Sequence, residues 1–463
     1  MKQFERKIIL FDFFAINLAW IVYYLVRVES QLVDFAAKPD LILPAIIMYL
    51  YWMAVFMFFG LYRPWYARSR TDEFSSVFRA ISIGCIAIFF VIFFDDENTV
   101  TYSTNRLVIV LYWVLMVMFV GVGRITVRSF RKRLLIQGIG LRETLIVGTG
   151  TRAIELFHSV KKYPALGYKI IGFVGNVHRS AERDTLPASF LGKLEEIPSI
   201  LKKNDVKNIL LAPDSREKET ILEVVSLSTG YNVSIKIIPD MYDIISGQAR
   251  TNQLYGFPLI EIMPHIMQPW EESAKRITDI AVSLVILTVT SPLWIFVAAA
   301  IKLNSPGALV YSQERVGKDG KIFKMHKFRT MYKDAEAKTG PVWATSNDPR
   351  VTSVGRFLRK TRLDEIPQFM DVLRGDMSLV GPRPERPHFV EVLAKEVPLY
   401  KRRLGVKPGI TGWAQIKQGY DTSVEDVKSK VRYDLFYIEN MSFRMDIKIL
   451  LMTFYTMIAG KGN

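Results

Sequence analysis

Four apolar segments lie in the first quarter of this 463-residue sequence, and they constrain the fold more than any other feature. They cover Ile8–Val26, Leu41–Tyr62, Val77–Phe94 and Leu107–Val122. A membrane-spanning helix needs about 20 apolar residues, so each segment is close to the required length. We therefore predict a bundle of four transmembrane helices over residues 1–123.

The charges around these segments give them an orientation. Basic residues precede the first segment, follow the second and follow the fourth, whereas acidic residues dominate the other two loops. Loops rich in lysine and arginine stay on the cytoplasmic side of a membrane. We expect both ends of the bundle, and the soluble domains that follow it, to face the cytoplasm. A buried four-helix core in a soluble protein is the alternative interpretation.

Composition limits the partners and the metal chemistry. The formal net charge of +16 fits either nucleic acid or an anionic membrane surface, and the apolar segments favour the membrane. The single cysteine, Cys85, excludes a disulfide framework and a cysteine-rich metal site. No zinc site is expected either, because the histidines form no pair with metal-ligand spacing. They are His158, His178, His265, His326 and His388.

The middle of the chain shows alternating strand and helix patterns. After a basic cytoplasmic linker at residues 124–142, residues 143–265 read as a Rossmann-like α/β domain. Strands that alternate with helices are typical of a parallel sheet with helices on its faces. The predicted strands are Thr144–Gly148, Tyr168–Gly175 and Asn208–Ala212, and the predicted helices are Ala153–Lys161 and Ile197–Asn204.

A glycine-rich turn, Gly148-Thr-Gly150-Thr-Arg-Ala153, follows the first of these strands. The pattern fits a dinucleotide-binding turn, in which backbone amides at a helix N-terminus bind a pyrophosphate. Such a site also needs an acidic residue at the end of the second strand, where this chain has Gly175-Asn176. A tight turn with close strand–helix packing is the other interpretation, and we expect no functional NAD site.

A fifth apolar segment, Ile280–Ile301, opens the last part of the chain. Ser291-Pro292 lies in its middle, where proline removes a backbone donor and bends a helix. Lys275 and Arg276 precede the segment, and a strongly basic stretch follows it. A crossing here would place that stretch outside the cell, against the positive-inside rule. We predict a re-entrant membrane helix over residues 277–303, with a kinked spanning helix as the alternative.

Four motifs follow the fifth segment. They are Lys327-Phe-Arg329-Thr-Met, Leu363-Asp-Glu-Ile-Pro-Gln, Gly381-Pro-Arg-Pro and Pro408-Gly-Ile-Thr-Gly-Trp. Pro367 fits the first turn of a helix that runs to Arg374, and Gly375 fits the position that ends it. Asp364 and Glu365 would then lie at the N-terminal end of this helix, where its dipole favours anions.

The basic residues around this carboxylate pair point to phosphate chemistry. Lysine neutralises phosphoryl oxygens, and the arginine fork binds them with two hydrogen bonds. A carboxylate can hold Mg²⁺ beside a phosphate, or attack phosphorus to form a covalent intermediate. A solvated face of salt bridges is the alternative. The basic residues are Arg356, Arg359, Lys360 and Arg362.

The four motifs together resemble those of the monotopic polyprenyl-phosphate phosphoglycosyl transferases, a family of bacterial sugar transferases. The whole chain resembles the large form of this family, which is a multidomain membrane protein. The resemblance implies a four-helix transmembrane bundle, a Rossmann-like (CoA-binding-like) α/β middle domain and a monotopic α+β catalytic domain over residues 270–463. It also implies a multi-pass protein of the bacterial inner membrane that forms a homodimer.

The resemblance implies a reaction as well. Such enzymes transfer a sugar phosphate from a UDP-sugar to undecaprenyl phosphate by a ping-pong mechanism and release UMP. This is the first membrane step in the assembly of an exopolysaccharide, capsule or O-antigen. The large form suggests glucose or galactose as the sugar, and the family suggests Mg²⁺ as the cofactor.

Site residues are also carried over from the resemblance. Asp364 would be the nucleophile and the metal ligand, with Glu365 as its partner. The other implied catalytic residues are Lys327, Arg359 and Arg383; the implied substrate-binding residues are Arg329, Arg362, Pro382, Pro384, Lys275 and Arg276; the implied helix breaker is Ser291 with Pro292.

Two other functions remain alternatives. A membrane-anchored nucleotide-sugar dehydratase or epimerase would normally need a Tyr-x-x-x-Lys pair, and no tyrosine in the sequence has a lysine four residues later. A non-enzymatic membrane scaffold or chain-length regulator would have no use for the four motifs. Release of UMP from a UDP-sugar would separate the three possibilities.

Overall fold

A computed structural model of the chain contains two compact units. The first comprises Met1–Ile221 with Asn232–Ile262, and the second comprises Leu222–Tyr231 with Met263–Asn463. The residues that the structure describes are 2–29, 40–62, 70–95, 102–175, 186–212, 218–228, 231, 233–238, 259–262, 267–332, 335, 348–397, 399–418 and 424–458.

The first unit begins with the four predicted apolar helices. They are α1 (Lys2–Tyr24, continued by a π-helical turn at Leu25–Glu29), α2 (Ile42–Phe58), α3 (Arg70–Asp95) and α4 (Tyr102–Ile136). Large side chains fill the space between them, and Trp52, Phe56 and Met116 are completely buried. Helix α4 is longer than expected, because the residues predicted to start a linker at Arg124 are helical as far as Ile136.

Four helices in the described part of the chain are long and apolar enough to cross a membrane. They are Lys7–Glu29, Thr71–Phe93, Val108–Ile136 and Pro269–Asn304. Helix α2 is shorter, but its 17 residues are at the lower limit for a spanning helix. These helices, with many exposed apolar side chains, make the chain a membrane protein.

A buried group of charges joins three helices of the bundle. Arg124 on α4 donates from Nη1 to Glu73 on α3 at 2.9 Å and from Nε to Asp12 on α1 at 3.1 Å. Arg128, one turn later, donates from Nε to Glu73 at 3.0 Å. Two arginines therefore balance two carboxylates. Charged residues in membrane helices are costly unless they are paired in this way, so the group fixes the helices against one another.

The rest of the first unit is built on a six-stranded mixed sheet. Its order is β3-β2-β1-β4-β5-β6, and only β6 is antiparallel to its neighbour. Helix α7 (Lys218–Ser228) follows β4 in the chain. The other elements are β1 (Arg142–Val147), α5 (Thr151–Lys162), β2 (Tyr168–Val174), β3 (Phe190–Gly192), α6 (Ile197–Lys203), β4 (Asn208–Leu211), β5 (Ser234–Ile237) and β6 (Ile260–Ile262).

The glycine-rich turn lies between β1 and α5. Gly148 has a φ of +129°, and a Cβ atom there would lie 2.3 Å from the carbonyl oxygen of Ala212. A side chain at this position would therefore be strained and would clash with the end of β4. Close backbone packing accounts for Gly148 without a ligand. Asn176, at the position where a dinucleotide site has an acidic residue, lies outside the described residues.

The second unit contains α8 (Pro269–Asn304) and the chain that follows it. Its strands are the antiparallel hairpin β7 (Val310–Val316) and β8 (Ile322–Phe328), and the parallel pair β9 (Ser378–Val380) and β10 (Gly409–Thr411). Its other helices are α9 (Ser353–Lys360), α10 (Gln368–Arg374), α11 (Pro387–Glu396), α12 (Trp413–Lys417), α13 (Val424–Glu439) and α14 (Phe443–Ile458).

Helix α8 includes the segment that was predicted to re-enter the membrane. It is one uninterrupted helix of 36 residues with Pro292 inside it, rather than two helices joined by a turn. The hydroxyl of Ser291 donates to the carbonyl of Thr288 at 2.8 Å, close to the place where Pro292 removes a donor. The path of α8 relative to a bilayer stays a prediction.

Candidate active site

The carboxylate pair lies in a short 3₁₀ turn, Leu363–Glu365, between α9 and α10. Helix α9 ends at Lys360, and Arg362 then takes a left-handed conformation with φ +54° and ψ +17°. Non-glycine residues seldom adopt this conformation, and such strained residues are often found at functional sites. The backbone reversal at Arg362 sets the position of the two carboxylates.

Helix α10 begins directly after this turn, close to where the sequence predicted it. Pro367 is its N-cap, and Gly375 ends it with a left-handed φ of +95°. The prediction of a helix that ends at Arg374 is therefore confirmed. Asp364 and Glu365 lie just before this helix, so two carboxylates precede its N-terminus.

Glu365 is bound by two cations from distant parts of the chain. Its Oε1 accepts from Nζ of Lys327 on β8 at 2.8 Å and from Nη2 of Arg383, in the loop after β9, at 3.0 Å. Burial raises the pKa of Glu365, but the charges of Lys327 and Arg383 outweigh burial and hold this pKa well below its ordinary value. The two cations therefore favour the ionised form of Glu365, and Glu365 in turn orients them.

Asp364 has a different environment. Its residue surface is only 7% exposed, and within the described part of the chain no group donates a hydrogen bond to its carboxylate. Burial raises the pKa of Asp364 above its ordinary value, and the nearby charges of Lys327 and Arg359 only partly oppose this effect. The carboxylate is thus held among cations with its oxygen atoms free of hydrogen bonds from described residues.

The position of Lys327 depends on a contact between β8 and α10. Asp371 on α10 is completely buried and accepts from the backbone N–H of His326 at 2.9 Å. Its other oxygen lies 2.7 Å from Nδ1 of the same histidine. Strand β8 is therefore fixed to the helix that follows the carboxylate pair. Burial also lowers the pKa of Lys327.

Arg359 is placed by Thr330, a motif residue to which the sequence assigns no role. Its Nε donates to the hydroxyl of Thr330 at 2.9 Å. The carbonyl of Thr330 accepts from the N–H of Thr352, and Gly355 packs directly against that carbonyl. A Cβ atom at Gly355 would lie 2.0 Å from it. The spacing of Thr330 from Lys327 was visible in the sequence, but its contact with Arg359 was not.

The structure thus brings together the five implied catalytic residues. Lys327 and Arg383 contact Glu365 directly, while Arg359 acts on Asp364 through its charge. The charge of Arg362 likewise lowers the pKa of Glu365. Two carboxylates therefore face a larger number of cations, and the excess positive charge suits a ligand with several phosphoryl oxygens.

Several implied substrate-binding residues have other partners. Arg329 donates to the carbonyls of Ser305 and Pro306, just beyond the end of α8. Arg276 donates from Nη1 to the carbonyl of Val372 at 2.7 Å, and from Nη2 to the next carbonyl, so it caps the C-terminus of α10. These contacts are structural, and any substrate contact of the two arginines stays a prediction.

Lys275 belongs to a second buried network. Its Nζ donates to Asp446 on α14 at 2.6 Å and to the carbonyl of Val380 at 2.9 Å. Tyr437 donates to the other oxygen of Asp446 at 2.7 Å. Val380 is the last residue of β9 and precedes the Gly-Pro-Arg-Pro motif. Lys275 therefore fixes the end of this strand, and a substrate contact for it stays a prediction.

The site fits a magnesium ion that shares its ligands with a substrate. Within the described residues, no group of three or more His, Cys, Asp or Glu side chains could hold a metal alone. Mg²⁺ is commonly bound by only one or two carboxylates, together with substrate phosphates and water. The carboxylate oxygens of Asp364 accept no hydrogen bond from the described residues, whereas Glu365 is already bound by Lys327 and Arg383. Asp364 is therefore the fitting ligand.

Comparison with known proteins identifies the family. Residues 270–460 match the family described as bacterial sugar transferase. UDP-glucose:undecaprenyl-phosphate glucose-1-phosphate transferase of Escherichia coli (strain K12) is 30% identical over 403 residues, which are 87% of this chain and 85% of that protein. The chain belongs to the bacterial sugar transferase family. Like its relatives, the protein is therefore an enzyme, and its class is the transferases.

Other relatives are also similar in sequence over most of this chain and of their own length. The enzyme with the same name from Klebsiella pneumoniae is 32% identical over 420 residues, covering 89% of this chain and 88% of the relative. Undecaprenyl-phosphate galactose phosphotransferase of Salmonella typhimurium is 30% identical over 397 residues, covering 82% and 80%. Residues 57–239 of this sugar transferase match the family described as CoA-binding domain. None of these findings favours a nucleotide-sugar dehydratase or epimerase.

Proposed function

We propose that this sugar transferase moves a hexose 1-phosphate from a UDP-sugar to undecaprenyl phosphate and releases UMP. The observation that carries the proposal is Asp364, a buried carboxylate without a hydrogen bond from described residues, beside Glu365, Lys327 and Arg383. The names of the relatives support undecaprenyl phosphate as the acceptor. They also support glucose or galactose as the sugar.

In the proposed first step, a carboxylate oxygen of Asp364 attacks the β-phosphorus of the UDP-sugar. A bond forms between that oxygen and phosphorus, and the bond from the β-phosphorus to the bridging oxygen breaks. UMP leaves with the bridging oxygen, and the sugar phosphate stays on Asp364. A group transfer of this kind depends on positioning and charge neutralisation, which Lys327, Arg359 and Arg383 supply.

In the second step, a phosphate oxygen of undecaprenyl phosphate attacks the same phosphorus. The bond from phosphorus to Asp364 breaks, which restores the carboxylate and forms undecaprenyl diphosphate linked to the sugar. UMP departs before the lipid phosphate arrives, so one set of cations serves both steps. This order suits a soluble donor and a membrane-bound acceptor that use the same phosphate site.

Asp364 would also hold Mg²⁺ together with phosphoryl oxygens of the substrate. Bound Mg²⁺ neutralises charge on the diphosphate and helps to orient it. The chain's own contribution is the fixed arrangement of cations. Glu365 keeps Lys327 and Arg383 in place before the substrate arrives, so these groups do not have to reorganise during the reaction.

We further propose that α8 dips into the cytoplasmic side of the membrane and returns. Arg276, near its start, binds Val372, while Val297 and Ile301, near its end, share a buried cluster with Ile366. Val372 is six positions after Ile366, which is a rise of about 9 Å along a helix. A helix that crossed the membrane would separate its two ends by about 30 Å.

The middle of α8 supports the same path. Apolar side chains on both sides of Pro292 are largely exposed, among them Val289 at 73%, Ile295 at 72% and Phe296 at 71%. Exposed apolar surface of this extent needs a lipid environment. A helix held at both ends by one unit, with an apolar middle, fits insertion from one side.

The test of the proposed function is a panel of radiolabelled UDP-sugars with undecaprenyl phosphate and membranes that contain the protein. UDP-glucose or UDP-galactose should give UMP and a labelled lipid, and membranes with the Asp364→Asn protein should give neither. Conversion of the nucleotide sugar without UMP release would instead indicate a dehydratase or an epimerase. UMP release that strictly requires the lipid would contradict the ping-pong order.

A further inference from the structure

The loop that carries Arg383 is poor in hydrogen-bond donors. Residues 382–387 have the sequence Pro-Arg-Pro-Glu-Arg-Pro, and we call them the proline loop. Proline has no backbone N–H, so the loop cannot hold its shape through internal backbone hydrogen bonds of the usual kind. Buried backbone carbonyls still need partners. The donors for this loop must therefore come from other elements.

Four successive carbonyls of the proline loop accept hydrogen bonds from other elements. Pro382 accepts from the N–H of Gly409 at 3.0 Å, and Glu385 accepts from the N–H of Val316 at 2.9 Å. The two carbonyls between them accept from guanidinium groups. Arg403 Nη2 donates to the Arg383 carbonyl at 3.1 Å, and Arg315 Nη1 donates to the Pro384 carbonyl at 3.0 Å.

Arg403 is the better fixed of these two arginines. It is only 5% exposed, and its Nε lies 2.7 Å from Oδ2 of Asp434 on α13. Its Nη1 donates to the hydroxyl of Tyr400 at 2.9 Å. The guanidinium is thus held by a carboxylate and a phenol while its remaining nitrogen points to the proline loop. A planar fork with this geometry cannot be replaced by a lysine.

The contact with Arg403 occurs at the residue that reaches the carboxylate pair. The backbone carbonyl of Arg383 is held by Arg403, and its side chain donates to Glu365 at 3.0 Å. We propose that Arg403 is a positioning residue for Arg383. This inference rests on the proposed function, because it concerns the delivery of Arg383 to the phosphate site. Arg403 itself touches neither Asp364 nor Glu365 in the described structure.

A purely structural role for Arg403 makes a different prediction. A buried ion pair with Asp434 would affect the stability of the second unit whether or not Arg383 is present. A positioning role depends on Arg383, because Arg403 then acts only through it. A double-mutant cycle distinguishes the structural role from the positioning role, because it measures whether substitutions at Arg403 and Arg383 act independently.

The experiment measures single-turnover UMP release from the UDP-sugar that the wild-type protein uses, without lipid acceptor. Arg403→Lys should slow release by about tenfold to a hundredfold, because a small displacement of a reacting group has effects of this size. The same measurement is made in the Arg383→Ala protein, where the reaction is followed over hours because it is slow. There, adding Arg403→Lys should change the rate of UMP release by less than about twofold. Equal effects of Arg403→Lys in both backgrounds would overturn the proposal.

The neighbouring arginine provides a matched control. Arg402 donates from Nη2 to Glu439 at 3.2 Å and does not contact the proline loop. Arg402→Lys should leave UMP release unchanged. If Arg403→Lys does not fold, Tyr400→Phe replaces it, since this change removes only the hydroxyl that orients the guanidinium. It should show a smaller effect with the same dependence on Arg383, and independence from Arg383 would again overturn the proposal.

Failure of the inference can be told apart from failure of the proposed function. If the wild-type protein released no UMP from any UDP-sugar, the proposed function would be wrong. If the wild-type protein released UMP and the two substitutions acted independently, only the positioning role of Arg403 would be wrong.

Discussion

Asp364 and Glu365 are adjacent in the chain, but the cations among the described residues donate hydrogen bonds to Glu365 and not to the carboxylate of Asp364. Glu365 accepts from Lys327 at 2.8 Å and from Arg383 at 3.0 Å, whereas the Asp364 carboxylate accepts from no described residue. The shifts of their pKa values follow this difference, since burial raises that of Asp364 and the two cations lower that of Glu365. Glu365 therefore organises the cations, and Asp364 is the carboxylate to which we assign the reaction.

The Asp364→Asn substitution tests the nucleophile. It keeps the size of the side chain but removes its charge, so UMP release should fall by about 10⁴-fold or more. Mass spectrometry of the wild-type protein after incubation with a UDP-sugar and Mg²⁺, without lipid, should show a hexose phosphate on the peptide that contains Asp364. Asp376→Asn is the control, because that carboxylate is exposed and should matter little. Normal turnover of Asp364→Asn would contradict the mechanism.

The Glu365→Gln substitution tests the organising role. A neutral amide cannot balance Lys327 and Arg383, so we expect UMP release to slow by about 10² to 10³-fold. The covalent adduct should still form slowly, because Asp364 is intact. Glu314→Gln, on an exposed part of β7, should behave like the wild type. An unchanged rate of UMP release in Glu365→Gln would contradict the organising role.

The pH dependence of UMP release should report the pKa of Asp364. Asp364 must be ionised to attack, and burial raises its pKa, so activity should be lost on the acid side at a higher pH than the ordinary aspartate value of about 3.9. Glu365 does not contribute to this limb because its pKa is lowered. More Mg²⁺ should move the limb to lower pH, since a bound cation opposes protonation. If added Mg²⁺ did not change the pH at which UMP release is lost, this result would argue against Asp364 as the metal ligand.

The Gly355→Ala substitution tests the support of Arg359. Its methyl group would lie 2.0 Å from the Thr330 carbonyl and would displace it, which should lower the free energy of unfolding by about 1 to 3 kcal/mol. UMP release should fall as well, because Thr330 orients Arg359. Gly405→Ala is the control, since its nearest neighbour would be 3.9 Å away. Thermal unfolding measures the loss of stability, and the UMP assay measures the loss of activity. If neither changed in Gly355→Ala, the close packing of Gly355 against the Thr330 carbonyl would be contradicted.

Topology reporters test the path of α8. Fusions at the C-terminus and near Lys333 should both report the cytoplasm, because the basic stretch after α8 resists export. Replacing Ser291 and Pro292 together with alanine should favour a straight spanning helix and reduce activity. A periplasmic signal from either fusion on the wild-type protein would contradict the re-entrant path.

Much of the local structure could be predicted from the sequence because it depends on nearby residues. Pro367 and Gly375 mark the ends of α10 through their own backbone preferences, and the apolar segments specify helices through their composition. The end of α4 at Ile136 could not be predicted, because a run of basic residues is also typical of a linker. In the structure, Arg124 and Arg128 continue the helix and bind carboxylates on neighbouring helices.

Contacts between distant residues could not be predicted in the same way. Arg329 lies in a motif with Lys327, but the two side chains have different partners. The guanidinium of Arg329 donates to a carbonyl just after α8, whereas Lys327 donates to Glu365. The role of Arg403 could not be predicted, since it contacts a carbonyl 20 residues earlier in the chain. The sequence did contain one signal for such a donor, because three prolines in the proline loop leave its carbonyls without local partners.

The ion pair between Asp12 and Arg124 also has a consequence for biosynthesis. The two residues are 112 positions apart, so the aspartate emerges from the ribosome well before its partner. At about 5 to 20 residues per second, the first helix waits roughly 6 to 22 s before Arg124 has been made. During that interval Asp12 lacks the guanidinium that neutralises it in the finished bundle. The ion pair that joins the first and fourth helices can therefore form only after the fourth has been synthesised.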